Sequence, residues 1–432
     1  MRAEHVPGAV VSVVRDGRVI FAKGYGYADL DTRRPMTEST IVRIGSISKV
    51  MTAVAVSQLA DRGRIDLRRD VNQYLRSLKV PATFSAPITP WHLLTHTAAL
   101  DEIRPGTMAE TAEQLQSLSD FLRPRLVRYA APGVATAYST YASTLAGLLV
   151  EEVAGQPLET YLIRNVWRPL GMVSTSVDVP SSQRGLVAIP YDVDSDKPVR
   201  APWEWYHTTP ASSVNSTASD MARFMVSQLT GKSAILSERM TREMQRQQIT
   251  MHPMLPGWGL GWYQLQRADG ERGVQHGGDI AGFSSLMTLL PGRNFGIFVA
   301  SHREGSDLRY TVTGAVMERL FPIRSAVAVP VSMHASAAVA ARQAARYAGL
   351  YRANIACHTC RNARPAAEVD VVVNTDGSLA AFGGRFIEVS PRFFRSEDGK
   401  RRFGFREDSH GRITHLTVGA WQVLERISQR TR

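Results

Sequence analysis

The hydrophobic pattern of the first part of the chain predicts a β-hairpin followed by one long buried helix. Small and β-branched residues alternate over residues 8–14, Asp16-Gly17 marks a tight turn, and residues 19–28 continue as a second strand. Residues 46–62 then carry apolar side chains on nearly every face of a helix. Because a helix that is apolar all round is buried, this segment is expected to cross the core of a domain.

A second β region lies far downstream and predicts how the chain closes. Residues 283–290 and 295–301 read as another hairpin, and an amphipathic helix follows over residues 307–320. The interval between the two hairpins is mostly helical in pattern, at residues 88–100, 112–122, 140–154 and 216–229. The economical arrangement is an α/β fold of the α+β type, an antiparallel sheet flanked by helices with an inserted helical lobe.

The last part of the chain changes character. Residues 323–344, which follow Pro322, are rich in Ala, Ser and Val, contain Pro330 and show no clear period, which is typical of a linker. Short alternating stretches follow, separated by Asp-Gly and His-Gly turns, at residues 369–373, 385–389, 402–405 and 413–418. We therefore predict a large domain at 1–322, the linker, and a small all-β domain of barrel or sandwich type at 345–432.

Composition narrows the classes of protein that fit. The 432 residues are 44% hydrophobic and 21% charged, enough to bury a sizeable core. The net charge is +12, but arginines are scattered among acids and form no nucleic-acid motif, so no nucleic-acid partner is expected. No run is long enough for a membrane span. The start has no signal-peptide pattern, so we expect either a cytoplasmic protein or a truncated start.

Two cysteines, Cys357 and Cys360, are the whole complement of the chain. A structural zinc site needs four ligands, and no second Cys/His pair of suitable spacing follows. A redox motif needs a strand-to-helix context that the surrounding residues do not offer. A pair of local thiols and one tight disulfide remain the alternatives, and no metal is expected.

The start of the predicted buried helix carries the first candidate for chemistry. Ser46 and Lys49 stand three residues apart and so share one face of a helix. A serine needs a neighbour to take its proton, and a lysine does this only where burial keeps it neutral. Arginine, by far the commoner base in this chain, cannot be deprotonated. Ser46 and Lys49 are therefore a candidate nucleophile and base, the alternative being a chance match in a solvated turn.

Tyr138 lies on a loop just before the predicted helix at 140–154. A phenol there can pass protons between a nucleophile and a leaving group, although such a tyrosine often only packs. His92 and His96 share a helical face, but Leu93 stands where the zinc-protease pattern needs glutamate. Both histidines are therefore predicted to be structural.

A glycine-rich segment before the second hairpin completes the candidate site. Gly277 and Gly278 would let a substrate backbone approach the strand edge closely, unless the run is simply a turn. The amide of Asp279, paired with the Ser46 amide, would make an oxyanion hole worth about 3 to 4 kcal/mol per donor. His276 would add a polar or switchable positive group beside it. The Asp279 carboxylate is expected either to attract a cationic substrate group or to cap the turn.

These motifs, in this order, resemble the serine β-lactamase and penicillin-binding hydrolase superfamily, and most closely its class C β-lactamase, esterase and DD-peptidase-like branch. The resemblance covers about residues 6–322. It rests on Pro7-Gly8-Ala9-Val10, Gly45-Ser46-Ile47-Ser48-Lys49, His92-Leu93-Leu94-Thr95-His96-Thr97, Tyr138-Ser139, Gly259-Leu260-Gly261-Trp262 and His276-Gly277-Gly278. It implies that Ser46 is acylated, that Lys49 and Tyr138 transfer its proton, and that His276 stands where many relatives carry lysine.

The resemblance also implies an activity without a cofactor. We expect hydrolysis of an ester, amide or β-lactam carbonyl, by an esterase or D-Ala-type peptidase with weak β-lactamase activity. A non-hydrolysing penicillin-binding sensor and an acyltransferase are the alternatives. Thr140 stands where many relatives carry asparagine, which affects substrate amide recognition. Relatives imply a periplasmic or secreted location and an earlier first helix, consistent with a truncated start.

Overall fold

The structure is a computed structural model that describes residues 1–103, 105–231, 233–324, 337–360 and 366–427. Its strands are β1 (Gly8–Arg15), β2 (Arg18–Asp29), β3 (Arg34–Pro35), β4 (Val42–Arg43), β5 (Met108–Ala109), β6 (Tyr191–Asp194), β7 (Lys197–Arg200), β8 (Trp205–Tyr206), β9 (Asn215–Ser216), β10 (Tyr263–Gln266), β11 (Arg272–Ile280), β12 (Phe283–Leu290), β13 (Phe295–Ser301), β14 (Gly349–Ala353), β15 (Glu368–Val373), β16 (Leu379–Ala381), β17 (Gly384–Ser390), β18 (Phe393–Ser396), β19 (Arg402–Glu407), β20 (Ile413–Val418) and β21 (Gln422–Ile427). Its α-helices are α1 (Ser48–Asp61), α2 (Pro90–Leu94), α3 (Leu118–Leu122), α4 (Thr140–Ala154), α5 (Leu158–Leu162), α6 (Thr209–Ser212), α7 (Ala218–Leu229), α8 (Glu238–Gln245), α9 (Leu308–Leu320) and α10 (Ala337–Ala344).

The two hairpins join in one sheet, as the pattern predicted. The strand order of this seven-stranded sheet is β10-β11-β12-β13-β1-β2-β3. Strand β1 pairs antiparallel with strand β13, the last strand of this sheet in chain order, and Val11 lies opposite Val299. Helix α9 packs on β12 and β13, and helix α7 packs on β13 and β1. The prediction of an antiparallel sheet flanked by helices, with a helical lobe inserted between the hairpins, is confirmed.

Helix α1 runs through the core of the large domain. Every residue from Ser48 to Leu59 is buried, which follows from the apolar side chains on all its faces. One 3₁₀ turn, Gly45–Ile47, precedes the α-helix, so the predicted helix start at Ser46 falls in this tighter turn. The Ser48 hydroxyl donates to the Gly45 carbonyl at 2.6 Å and fixes the turn against the helix.

Two helices of the inserted lobe are shorter than predicted. The segment at 88–100 is helical only at Pro90–Leu94, because the backbone enters the left-handed region at His96 and Ala99, with φ of 54° and 53°. The segment at 112–122 divides into one 3₁₀ turn and helix α3, whose first turn is capped by Ser117. Both predictions of a continuous helix were wrong in extent.

The C-terminal part forms a closed antiparallel barrel of the strands β14 to β21. Large side chains fill its core, among them Tyr351, Phe386, Phe394, Phe403 and Phe405. The predicted linker is helical over Ala337–Ala344, since alanine is the strongest helix former, and Ala340 and Ala344 are buried. The part of the predicted linker at 325–336 lies outside the described residues, and the domain boundaries stay a prediction.

No helix within the described ranges is both long and apolar enough to cross a lipid bilayer.

Candidate active site

The Ser46 hydroxyl and the Lys49 amine meet at the start of helix α1. Lys49 Nζ lies 3.0 Å from Ser46 Oγ and donates to it. The same amine donates to the Ala211 carbonyl at 3.0 Å, which anchors it from the side of helix α6. Ser46 is partly exposed whereas Lys49 is 3% exposed. The hydroxyl therefore faces a solvent-accessible crevice with the amine buried behind it.

Burial changes the protonation of Lys49. Desolvation lowers the pKa of its amine to about 7, although the nearby Glu102 carboxylate acts to raise that pKa. A charged ammonium loses its hydration in such a site, so its neutral form is favoured. Near neutral pH a large fraction of Lys49 is consequently able to accept the Ser46 proton.

Tyr138 lies on the other side of the crevice. The Lys49 amine sits 4.8 Å from the centre of the Tyr138 ring. Burial raises the pKa of the Tyr138 phenol, and the nearby Ser46 hydroxyl opposes that rise. The buried Tyr138 hydroxyl has no aligned hydrogen-bond partner among the described residues. The phenol is thus held protonated, with a proton available to a group entering the crevice.

His276 is a buried, neutral side chain on strand β11. Its Nδ1 lies 2.7 Å from the Gly277 carbonyl, and since a carbonyl only accepts, Nδ1 carries the proton. Nε2 is then an acceptor, and it is buried without a partner in the part of the chain that the structure describes. Burial, helped by the Lys49 charge, lowers the pKa of His276 to about 3. This side chain adds no positive charge to the crevice.

The backbone of strand β11 packs directly against the turn that carries Ser46. A Cβ added at Gly278 would lie 2.1 Å from the Ile44 carbonyl oxygen and 2.8 Å from the Ser46 amide nitrogen. A Cβ added at Gly45 would lie 3.2 Å from the Asp279 amide nitrogen. Glycine at 278 therefore makes room for the nucleophile's own backbone, where the sequence predicted room for substrate. The amides of Ser46 and Asp279 are neighbours.

The Asp279 carboxylate is occupied within the protein. Arg309 donates to it from both terminal nitrogens, at 2.7 and 2.6 Å, and the Ser284 hydroxyl donates at 2.7 Å. Such a bidentate pair satisfies both carboxylate oxygens. The two predicted roles of this side chain, attraction of a cationic substrate group and capping of the turn, stay predictions.

Glu102 is a carboxylate at the site that the sequence did not indicate. It accepts from the Ser139 hydroxyl at 2.6 Å and from the Tyr141 amide at 3.2 Å, so it caps the N-terminus of helix α4, where Thr140 is the first residue. Burial raises its pKa, while these hydrogen bonds and Lys49 oppose the rise. No motif surrounds Glu102 in the sequence, and only the folded loop brings it near Lys49.

The two histidines of the 92–97 segment, which were predicted to be structural, each have a hydrogen-bond partner within the protein. His92 Nδ1 accepts from the Thr89 amide at 3.0 Å within a capping box of helix α2. His96 Nδ1 accepts from the Ser139 amide at 3.1 Å, and its ring lies 4.5 Å from the Tyr138 ring. The His96 ring therefore packs against the Tyr138 ring and helps to hold it in place. Within the described residues, no group of three or more His, Cys, Asp and Glu side chains is placed to hold a metal.

The C-terminal barrel also reaches the crevice. Trp421, in the turn between β20 and β21, has its ring centre 4.4 Å from that of Tyr138. The backbone carbonyl of Ala420 accepts from the Trp258 indole at 2.8 Å, which ties this turn to the large domain. A tryptophan in a hairpin turn, where polar residues are usual, was the one sequence signal for this contact.

The barrel makes a second contact through the two cysteines, which form a disulfide. The Asp101 carboxylate accepts from the His358 and Thr359 amides at 2.6 and 2.9 Å. The His358 ring stacks on Tyr129 with 3.7 Å between ring centres. The open alternative between free thiols and a disulfide is thus resolved in favour of the disulfide.

The site combines a serine and a buried lysine at a helix start with a tyrosine from the helical lobe and the edge of an antiparallel sheet. This combination defines a member of the serine β-lactamase and penicillin-binding protein superfamily. The chain belongs to the Beta-lactamase family, whose model matches residues 1–318. Family members are serine hydrolases, which makes hydrolase chemistry the coarse assignment for this fold.

Individual relatives agree with this assignment. The D-alanyl-D-alanine-carboxypeptidase/endopeptidase AmpH of Escherichia coli (strain K12) is 30% identical over 316 residues, which is 67% of this chain and 78% of that protein. Protein flp of Staphylococcus aureus (strain N315) is 27% identical over 302 residues, 69% of this chain. The chain covers 60% of the length of flp, less than two thirds.

Solved structures show the same fold. The octameric penicillin-binding protein homologue from Pyrococcus abyssi matches with a TM-score of 0.66 at 21% identity, covering 98% of this chain and 96% of that chain. The class C β-lactamase from Rhodobacter sphaeroides matches with a TM-score of 0.61 at 22% identity, covering 74% and 96%. The first of these likenesses extends over the C-terminal barrel as well.

Proposed function

We propose that this protein is a serine hydrolase that cleaves an ester, amide or β-lactam carbonyl through an acyl-enzyme on Ser46. The observation that carries the proposal is the 3.0 Å contact between Ser46 Oγ and a Lys49 amine whose pKa burial lowers to about 7. A hydroxyl beside an uncharged amine is an activated nucleophile. The partly exposed position of Ser46 leaves it open to a substrate.

Acylation follows from the positions of four groups. Lys49 takes the proton of Ser46 as Oγ bonds to the carbonyl carbon, and the amides of Ser46 and Asp279 stabilise the resulting oxyanion. As the tetrahedral adduct collapses, the bond to the leaving group breaks and protonated Tyr138 donates to that group. The Lys49 ammonium then returns a proton to Tyr138. Water attacks the acyl carbon in the second half, with the same groups acting in reverse.

The charges in the crevice favour neutral esters over β-lactam antibiotics, and the likeness to a D-alanyl-D-alanine-carboxypeptidase/endopeptidase supports D-Ala-type substrates. His276 is neutral and presents an acceptor, so it offers no cation to a substrate carboxylate. The Arg309 guanidinium is held by Asp279. A carboxylate-bearing lactam would therefore lose the charge-assisted hydrogen bond that a lysine at 276 would give. We propose an esterase or D-Ala-type peptidase with weak β-lactamase activity.

A periplasmic or secreted location is part of the same proposal. The Cys357–Cys360 disulfide supports it, because disulfides persist in oxidising compartments and are rare in the cytosol.

Turnover assays with mass spectrometry test the function. Wild-type protein is incubated with p-nitrophenyl butyrate, nitrocefin and a D-Ala-D-Ala peptide, and the acyl mass retained on Ser46 is measured. Multiple turnovers that Ser46→Ala abolishes are expected. Ser57→Ala is the matched control, since Ser57 lies buried on the same helix and its hydroxyl has no hydrogen-bond partner among the residues that the structure describes.

Each alternative has its own signature in this assay. One stoichiometric burst with a stable adduct would indicate a non-hydrolysing sensor. Products that carry an added alcohol or amine in place of water would indicate an acyltransferase. Turnover that survives in Ser46→Ala would overturn the proposal.

A further inference from the structure

The edge of strand β11 beside Ser46 has the form of a peptide-binding edge. Pairing between β10 and β11 ends at Tyr263 and Gln275, so the next residues of β11 have no β10 partner along that edge. Extended peptides add to such edges by hydrogen bonding to the backbone of every second residue. On β11 those residues are Gly277 and Asp279.

At Gly277 this edge is closed by the protein's own side chains. The Tyr263 ring centre lies 5.5 Å from that of His276 and 5.0 Å from that of Trp421. A Cβ added at Gly277 would lie 3.6 Å from the Tyr263 hydroxyl. The Gly277 carbonyl accepts from His276 Nδ1 at 2.7 Å. The Gly277 carbonyl is therefore engaged, and the Tyr263 hydroxyl occupies space beside Gly277 that an extended peptide would need.

Trp421 holds this closure from the barrel. Its ring centre lies 5.0 Å from that of Tyr263, 4.4 Å from that of Tyr138 and 5.3 Å from that of Trp258. Trp258 is fully buried, whereas Tyr138 and Trp421 are partly exposed. These two partly exposed rings contact each other near the Ser46–Lys49 pair, and such an aromatic surface suits an apolar acyl group.

We propose that Trp421 is a specificity-determining residue which, with Tyr263, narrows the β11 edge at Gly277, so that compact acyl groups react faster than acyl groups that extend a peptide backbone along this edge. The inference rests on the proposed Ser46 acyl-enzyme and deepens it. A short ester needs only the Ser46 and Asp279 amides, whereas a peptide acyl group also needs the engaged Gly277. The C-terminal barrel thereby selects substrates through one turn.

Substrate pairs test this proposal. Wild type, Trp421→Ala and Trp421→Phe are assayed with p-nitrophenyl acetate and with the p-nitrophenyl ester of an acetylated tri-alanine peptide. Trp421→Ala should raise kcat/KM for the peptide ester about tenfold relative to acetate, mainly by lowering KM. Trp421→Phe, which keeps a ring but loses the indole N–H, should give a smaller rise. Phe382→Ala, in another turn of the same barrel, should leave the ratio unchanged.

Labelling of Ser46 separates this inference from the function on which it rests. A fluorophosphonate adduct on Ser46, read by intact mass, shows that each variant has a working nucleophile. If Trp421→Ala is labelled but keeps the wild-type ratio of kcat/KM for the peptide ester to kcat/KM for acetate, only the role of Trp421 is overturned. If the wild-type protein is not labelled, the proposed function is overturned. Should Trp421→Ala fail to fold, Tyr263→Phe decides: removing the hydroxyl beside Gly277 should raise the same ratio, and an unchanged ratio refutes the closure.

Discussion

The start of helix α1 and the β20–β21 turn of the barrel reach the same crevice by different routes. Ser46 and Lys49 are three residues apart, and the short turn into helix α1 brings them to a 3.0 Å contact. Trp421 reaches Tyr138 only after the barrel has closed and its turn has bonded to Trp258. Local geometry supplies the reacting groups here, and long-range packing supplies the walls. Changes in the first region should affect every substrate, and changes in the second should alter the choice among substrates.

The largest effect is expected at Lys49. Lys49→Met keeps the length of the side chain but removes the base, so kcat/KM should fall about 10³-fold for acetate and peptide esters alike. In wild type, kcat/KM should decline about tenfold per pH unit below pH 7, because protonation of the amine removes the base. Steady-state kinetics between pH 5 and 9 check both statements. A loss confined to one ester would break the division between the two regions.

This division also explains what could be predicted from sequence. The Ser46 to Lys49 spacing, Tyr138 on its loop and the two hairpins follow from periodicity and turn residues. The turn at His96 could not be predicted in this way, because packing against Tyr138 imposes its left-handed backbone. The Asp279 ion pair needed Arg309, which only the packing of α9 on the sheet brings close.

Glu102 and Trp421 were missed for the same physical reason. Each is an ordinary residue in its own segment, and its role depends on a neighbour that is distant in sequence. Glu102 gains its importance from Lys49 and from the first turn of helix α4. Trp421 gains its importance from Tyr138 and Tyr263.

The next largest effect is expected from the charge of the side chain at position 276, on strand β11 between the two regions. His276→Lys places a cation where the neutral imidazole lies, so the ratio of nitrocefin to p-nitrophenyl butyrate turnover should rise about tenfold through a charge-assisted hydrogen bond to the lactam carboxylate. His276→Gln, which stays neutral, is the matched control and should leave the ratio near wild type. An equal rise in both variants would show that space, and not charge, had limited β-lactam turnover.

A smaller effect is expected at Glu102, which long-range packing brings to the site but which acts on Lys49 of the local Ser46–Lys49 pair. Its carboxylate acts to raise the pKa of Lys49, so Glu102→Gln should lower that pKa and move the acid limb of the kcat/KM profile to lower pH. The amide oxygen of glutamine can still accept from the Tyr141 amide at the helix cap. Activity at pH 8 should change by about threefold or less. A purely structural role would lower the whole profile without moving the limb.

The smallest effect on activity is expected at the Cys357–Cys360 disulfide. It sharpens the comparison because its loop takes part only in the contact between the barrel and the large domain. Replacing both cysteines with serine loosens the loop whose amides bind Asp101, and the free energy of unfolding should fall by about 2 kcal/mol in chemical denaturation. Acetate turnover should stay within about twofold of wild type, since Ser46 and Lys49 need no contact with this loop. The peptide-to-acetate ratio should rise slightly, in the direction expected for Trp421→Ala, because a less firmly docked barrel holds its turn less firmly over Gly277. A fall in acetate turnover as large as that of Lys49→Met would show that the barrel supports the chemistry itself, and the separation between reacting groups and walls would no longer hold.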